Sequence, residues 1–171
     1  MTDDSKFPAP FDSHVEPVRP EWIDYNGHMN VAYYVLAFDN ATDTFFEAMD
    51  FGEAWRRRSG RSFFAVEGHI RYLGELKPGE RLAVETVLLA ADAKRIHYFH
   101  TMRNAATGAI AATVEYLSLH VDMVGRRSVA FSPEDRVRID GFARAHAGLA
   151  RPEAAGRRVS MPPLREDGAN G

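Results

Sequence analysis

The chain has 171 residues, of which 45% are hydrophobic and 26% charged, with a formal net charge of −3 and an isoelectric point near 6.2. That balance describes one ordinary globular domain, able to bury roughly 70% of its unfolded surface and with no overall attraction to nucleic acid or anionic lipid. The absence of cysteine excludes disulfides, thiolate metal sites and a cysteine nucleophile, and no apolar run approaches membrane-spanning length.

Met1 to Pro10 is acidic and contains proline, without the basic-then-apolar pattern of a secretory leader, so a cytoplasmic location is expected. His14 to Val18 alternates weakly and predicts a short first strand. The segment Trp22-Ile23-Asp24-Tyr25-Asn26-Gly27-His28-Met29-Asn30 follows and leads straight into an apolar helix. Residues 31 to 51 hold no proline or glycine and set Val31, Tyr34, Val35, Phe38, Thr42, Phe45 and Met49 at helical spacing, which predicts a helix lying in a core. Asn30 is the natural N-cap, and a helix start presents unpaired N–H groups with partial positive charge. A carboxylate, Asp24, therefore stands beside oriented donors. A base next to an oxyanion trap is what hydrolysis of an acyl compound requires.

Phe51-Gly52 marks the helix end, and Trp55 to Arg61 reads as a polar, arginine-heavy connection. From Ser62 the period becomes two, with Phe64, Val66, Ile70, Tyr72 and Leu76 on one face and Glu67, His69, Arg71 and Glu75 on the other. Lys77-Pro78-Gly79-Glu80 predicts a type II turn. Strands follow over Arg81 to Leu89, Arg95 to Arg103 and Ala109 to Val121, joined at Asp92-Ala93-Lys94 and Asn104 to Gly108. Such short links imply antiparallel neighbours, and one helix can cover only one sheet face. The predicted fold class is α+β, a curved antiparallel sheet of about five strands wrapped around a long central helix. Ser132-Pro133-Glu134-Asp135 then starts a short helix over about 133–147, and Arg151 to Gly171 is expected to be an irregular tail. The chain thus divides into a main domain, 1–125, and a C-terminal extension, 126–171.

Each candidate has a plain alternative. Asp24 suits a turn, since its carboxylate bonds nearby backbone, but Asn26, Gly27, His28 and Asn30 before a buried helix suggest the floor of a cleft. His28 fits best as a residue holding the turn together. Glu67 and His69 point the same way from one strand, yet lack a convincing third ligand, so no metal site is expected. Asp39, Asp43 and Glu47 form the one polar stripe on the helix, with Asp39 about 12 Å along the axis from Val31, a suitable depth for the far end of an acyl group. The clusters Arg56-Arg57-Arg58 and Arg126-Arg127 could hold phosphates. No phosphate-cradling glycine loop and no Gly-x-Ser-x-Gly elbow is present, which disfavours a serine hydrolase.

Asp24-Tyr25-Asn26-Gly27-His28-Met29-Asn30 with Tyr33, Tyr34 and Phe38 resembles the signature of the 4-hydroxybenzoyl-CoA thioesterase-like group of hotdog-fold proteins, over roughly residues 14 to 122. Phe63 to Ile70 and Asp92 to His100 look like the thioesterase module associated with carnitine dehydrogenases, which acts on betainyl-CoA. The resemblance implies acyl-CoA hydrolysis in a homodimer or dimer-of-dimers tetramer with sites between subunits, and no cofactor beyond the substrate's CoA. It places the catalytic carboxylate on Asp24, as base or nucleophile, and the oxyanion donor on the Val31 backbone N–H. Asn26, His28, Asn30, Asp39, Glu67 and His69 complete the candidate substrate-binding set. An enoyl-CoA hydratase, whose motif also joins Asp, Asn and His, and a non-catalytic acyl-CoA-binding module are the alternatives.

Overall fold

A computed structural model describes residues 7–161; the first six residues of the N-terminal arm and residues 162–171 of the predicted tail lie outside it. The elements run β1 (Phe11–Pro17), α1 (Val31–Ala48), α2 (Glu53–Ser59), β2 (Arg61–Tyr72), β3 (Arg81–Ala91), β4 (Arg95–Asn104), β5 (Ile110–Asp122), β6 (Arg127–Ser128) and α3 (Pro133–His146). The sheet is antiparallel in the order β1-β3-β4-β5-β2, with the two-residue β6 added on β5. β1 and β2 are therefore its edges.

α1 lies in the curl of this sheet because its two halves each fill a core. Tyr34, Ala37, Phe38 and Ala41 pack with Leu76, Leu82, Val84, Met102 and Val114. Phe45, Phe46 and Met49 pack with Leu88, Ile96, Tyr98 and, from α3, Ile139 and Phe142. The segment beyond residue 125 thus contributes to the same core. The helix is not enclosed all round, however. Val31 and Val35, expected on the buried face, are exposed together with Leu36, Asp39, Asp43 and Glu47.

Two sequence expectations are corrected. The arginine-heavy connection is a helix, α2, held by a single buried anchor, Trp55, and closed by Gly60 in the left-handed region at φ 65°. Its acidic start and basic end suit the helix dipole, a signal outweighed in the sequence by its polarity. In β2 the strict alternation fails, because the register shifts between Ala65 and Glu67. A bulge inserts one residue and exchanges the faces beyond it. Phe63 packs inward on Phe46 and Trp55, whereas Phe64 lies under the Arg126 guanidinium, away from Ile70 and Tyr72.

Buried polar groups knit the core. The Thr42 hydroxyl donates to the Phe38 carbonyl at 2.9 Å, so the His100 Nε2–H must be the donor in the 2.9 Å contact to Thr42 Oγ1. Thr86 in turn donates to His100 Nδ1 at 2.8 Å. This fixes a neutral imidazole, and burial, with a smaller contribution from His14, pushes its pKa down to about 3. His146 works similarly. β1 reaches only to the pairing of Phe11 with Thr86, and the next strand amide, Leu88 N–H, donates to His146 Nδ1 at 2.9 Å.

Because folded His100 resists protonation while the unfolded residue titrates near 6.5, its stabilisation is complete above pH 6.5. It is lost progressively as pH falls from there towards 3, by roughly 1 kcal/mol per pH unit. His120 and His146 shift in the same direction, also through burial. Urea unfolding at pH 7 and pH 5 should show a large loss for the native chain. His100→Gln should be less stable at pH 7 but should lose less between the two pH values.

Candidate active site

The turn before α1 is pinned at both ends. Asn30 N–H donates to the Trp22 carbonyl and Met29 N–H to the Leu76 carbonyl, each at 2.8 Å, while Ile23 and Met29 form a β-bridge. Inside this frame Asp24 N–H donates to the His28 carbonyl at 3.1 Å and Gly27 N–H to the Asp24 carbonyl at 3.0 Å. Gly27 sits at φ 81°, which a side chain would make strained. The tip is a solvent loop, with Tyr25 97% exposed, but Asp24, His28 and Asn30 are half-buried behind it and Met29 is buried.

Asp24 performs the turn role that its residue type suggests, and more. Its Oδ1 accepts from Asn26 N–H at 2.8 Å, and its Oδ2 accepts from the Asn30 side-chain amide at 3.2 Å. The same Asn30 side chain accepts from Ala32 N–H at 3.0 Å, and the Asn30 carbonyl accepts from Tyr33 N–H at 3.0 Å. One amide therefore spans the carboxylate and the helix start. The remaining first-turn donor, Val31 N–H, has no hydrogen-bond partner among the described residues, and Val31 is 53% exposed. A carboxylate has about four lone-pair directions, so Asp24 retains capacity to accept from a water. The cluster holds a fixed carboxylate and an open helix-terminal donor side by side.

His28 is turned to structural use. Its Nδ1 lies 3.3 Å from the Met29 carbonyl and its Nε2 3.8 Å from Glu75 Oε1. Asn26 contributes its backbone N–H to Asp24 from an exposed position.

Beside α1 runs an open groove of about 930 Å³, bounded by the exposed helix face, α2 and the inner faces of β2, β4 and β5. Asp39 lies on its wall with Asp43, facing Phe46, Phe63, Tyr98 and Tyr116. Burial first, then the Asp39 charge, pushes the Asp43 carboxyl above its ordinary value. Burial likewise drives the Tyr98 hydroxyl up to about 12, offset in part by its bond with Ser118 Oγ at 3.0 Å. Gly68 makes room for this wall, since a Cβ there would meet the Tyr116 ring at 2.7 Å. Tyr98 lines the groove, whereas Tyr34 bonds the Gly74 carbonyl and Leu76 N–H, and Phe38 is buried against His100. Phe46 reaches the groove from α1, and Phe63 and Tyr116 meet it there only through the sheet register, which no local pattern gives.

Glu67 and His69 are elsewhere. With Gly68 facing inward, they project from the opposite side of β2 and line a separate cavity of about 390 Å³ with His97, Glu115, Arg157 and Arg158. There Glu115 takes His97 Nε2 on one oxygen and Gly156 N–H on the other, both at 2.6 Å. The sheet separates this pair from the groove of the same chain. Among the described residues no three His, Asp or Glu side chains converge as a metal site would require.

A family profile described as the thioesterase-like superfamily matches residues 18–146. A betainyl-CoA thioesterase from Pseudomonas aeruginosa is 41% identical over 149 residues, covering 87% of this chain and 94% of that protein. A Rhizobium meliloti protein named L-carnitine dehydrogenase/betainyl-CoA thioesterase is 39% identical over 144 residues, which cover 84% of this chain and 29% of the longer protein. A Staphylococcus aureus protein solved in complex with CoA aligns at TM-score 0.82 with 27% identity, covering 91% of this chain and 98% of that one. A candidate thioesterase structure from Pseudomonas putida KT2440 aligns at TM-score 0.77 with 30% identity, over 91% and 99% of the two chains. The curled sheet around one long helix is the hotdog arrangement expected from the sequence.

The double use of Asn30 can be separated by substitution. Asn30→Ala should lower the unfolding free energy by about 1 kcal/mol through loss of the cap, whereas Asn30→Ser should keep most of it. Urea titration checks both. Equal stability of the alanine variant and the native chain would remove Asn30 as the cap.

Proposed function

Since the chain belongs to the thioesterase-like superfamily, we propose that it hydrolyses an acyl-CoA at Asp24 and the start of α1. The observation that carries this reading is the pairing of a fixed carboxylate with the unoccupied Val31 N–H. The thioester carbonyl oxygen would sit at Val31 N–H, where the helix dipole stabilises the developing negative charge. Asp24 would draw a proton from the attacking water; a direct attack giving a mixed anhydride is the other route, and single turnover in labelled water separates them. A thiol with a pKa near 8.5, the cysteine reference, leaves with little protonation, so the scheme asks for no second acid and no cofactor. His28 is engaged with the Met29 carbonyl and Glu75, which argues against a hydratase needing a second acid–base group beside Asp24. A cytoplasmic setting fits such a substrate.

The acyl group we propose is small and cationic, of the betainyl type. Asp39 and Asp43 supply negative charge to a groove with aromatic walls and, among the described residues, have no salt-bridge partner. A betainyl group extends only about 4 Å beyond its carbonyl carbon. Asp39, about 12 Å up the axis from Val31, therefore acts through its field rather than by contact. At an effective dielectric of 20, two charges about 8 Å apart still attract by about 2 kcal/mol.

The active form we propose is a homodimer. β2 is an unpaired sheet edge that exposes Phe64 and Val66, the α1 face exposes Val35 and Leu36, and such an edge is normally covered. A second copy would also close the groove against water.

Removing the base with Asp24→Asn should lower turnover at least about 100-fold. Val31→Pro tests the donor by itself. Asn30 already has the extended backbone (φ −65°, ψ 145°) that precedes proline, and the first helical position tolerates it. This variant should fold normally yet lose about 100- to 1,000-fold in kcat. Full activity in either variant, measured by thiol release, would sink the assignment.

Asp39→Ala should raise KM roughly tenfold for a cationic acyl-CoA and little for a neutral one of equal size. Equal effects on the two substrates would remove the cationic preference.

A further inference from the structure

We infer that Tyr34 is a positioning residue of this active site: its hydroxyl clamps the segment on which the Asp24 turn is anchored, and thereby sets the carboxylate against the Val31 N–H. This rests on the thioesterase reading above and gives a role to a side chain that the reading leaves unassigned.

The turn is joined to the rest of the molecule at few polar points. Among the described residues, the hydrogen bonds and ion pairs of residues 24–30 close within residues 22–33, with two exceptions. Met29 N–H donates to the Leu76 carbonyl at 2.8 Å, and His28 Nε2 lies 3.8 Å from Glu75 Oε1. Both land on the same dipeptide. Where Glu75 and Leu76 sit therefore decides where the carboxylate sits. That dipeptide belongs to no strand, since β2 ends at Tyr72, β3 begins at Arg81 and the chain between them is irregular. On one side of it, Leu73 and Gly74 each give an N–H to the Ala111 carbonyl at 2.9 Å. On the other, Lys77 N–H is taken by the Glu80 carboxylate at 2.8 Å.

Between those points the Tyr34 side chain holds the backbone. Its hydroxyl donates to the Gly74 carbonyl at 3.1 Å and accepts from Leu76 N–H at 3.2 Å, so it grips the chain on both sides of Glu75. Burial pushes the hydroxyl above its ordinary pKa, against the pull of the Leu76 N–H, and it stays a donor at neutral pH. Tyr34 stands three residues after Val31 in α1. The hydroxyl thus ties the anchor of the acid to the helix that carries the open donor, and so fixes the gap between base and oxyanion site. The core asks only for the ring. Tyr34 is buried, packs in one cluster with Leu76 and Leu82, and meets Tyr72 edge-on at 5.5 Å, contacts that a phenylalanine would keep.

The test uses full-length Tyr34→Phe, Asp24→Asn and the double variant, each assayed by thiol release. Tyr34→Phe should fold with native secondary structure by circular dichroism. Its kcat should fall about 10- to 100-fold, the effect expected of a slightly misplaced reacting group, while KM stays within about twofold. The double variant should be no more than about threefold slower than Asp24→Asn, because a base that is absent can no longer be misplaced.

A native kcat in Tyr34→Phe, or a raised KM with kcat unchanged, would overturn the proposal. Losses that multiply in the double variant would do so too, because the hydroxyl would then act independently of Asp24. Failure of Tyr34→Phe to fold would have the same force, since the hydroxyl would be holding the fold and not the acid. Absence of thiol release by the native chain, or full activity of Asp24→Asn, would instead overturn the thioesterase reading itself.

Discussion

The Asn30 side-chain amide is the contact on which the candidate site depends. Its oxygen caps Ala32 N–H and its nitrogen holds the Asp24 carboxylate, so the place where the helix begins and the place where the acid sits are one decision. Neither contact is strong alone, since a cap contributes about 1 kcal/mol. The frame around it supplies the rigidity. Backbone bonds from Asn30 to Trp22 and from Met29 to Leu76 fasten the turn to the core, and the Tyr34 hydroxyl fastens the chain after β2 to the same helix. The donor left over, Val31 N–H, is open because the cap satisfies Ala32 and the Asn30 carbonyl satisfies Tyr33.

The core explains why α1 can present such an end. A helix buried on every side would need a wholly apolar surface. Here the sheet curls round one side only, leaving Val31, Val35, Leu36, Asp39 and Asp43 along a groove. The polar groups inside the curl are nearly all satisfied. His100 is held neutral between Thr42 and Thr86, and His146 completes the β3 ladder where β1 has ended. These contacts keep the walls of the groove fixed while its mouth stays open. They also make the fold sensitive to acid, because protons are taken up on unfolding.

Charge is distributed along the molecule in a way that overall composition conceals. A net charge of −3 comprises an acidic strip on α1, paired ions on α3, and exposed arginines around the start of β2, among them Arg56, Arg58, Arg126 and Arg127, that have no acidic partner among the described residues. Acid along the groove and base at one sheet end suit a ligand with opposite charges at its two ends. The convex cavity built from His97, Glu115 and Gly156 belongs to a different layer, where the chain after α3 is seated against the sheet.

The sequence by itself determined the local elements whose signals are backbone signals. Asn30 and Ser132 as caps, Pro133 at the first turn of α3 and Gly79 in the turn before β3 all act within a few residues, and all appear where they were read. The strand–helix–strands order followed from them because short links leave few arrangements. Tertiary structure decided the rest. The bulge between Ala65 and Glu67 parted Phe64 from the face of Ile70 and Tyr72 on which strict alternation would put it, since one extra residue exchanges the faces on its two sides. α2 became a helix because Trp55 found a pocket, which no local pattern announces. Whether Glu67 and His69 share a space with Asp39 was decided by which side of the sheet they leave. The sheet stands between them because packing acts on residues far apart in the chain, whereas periodicity reports only on neighbours.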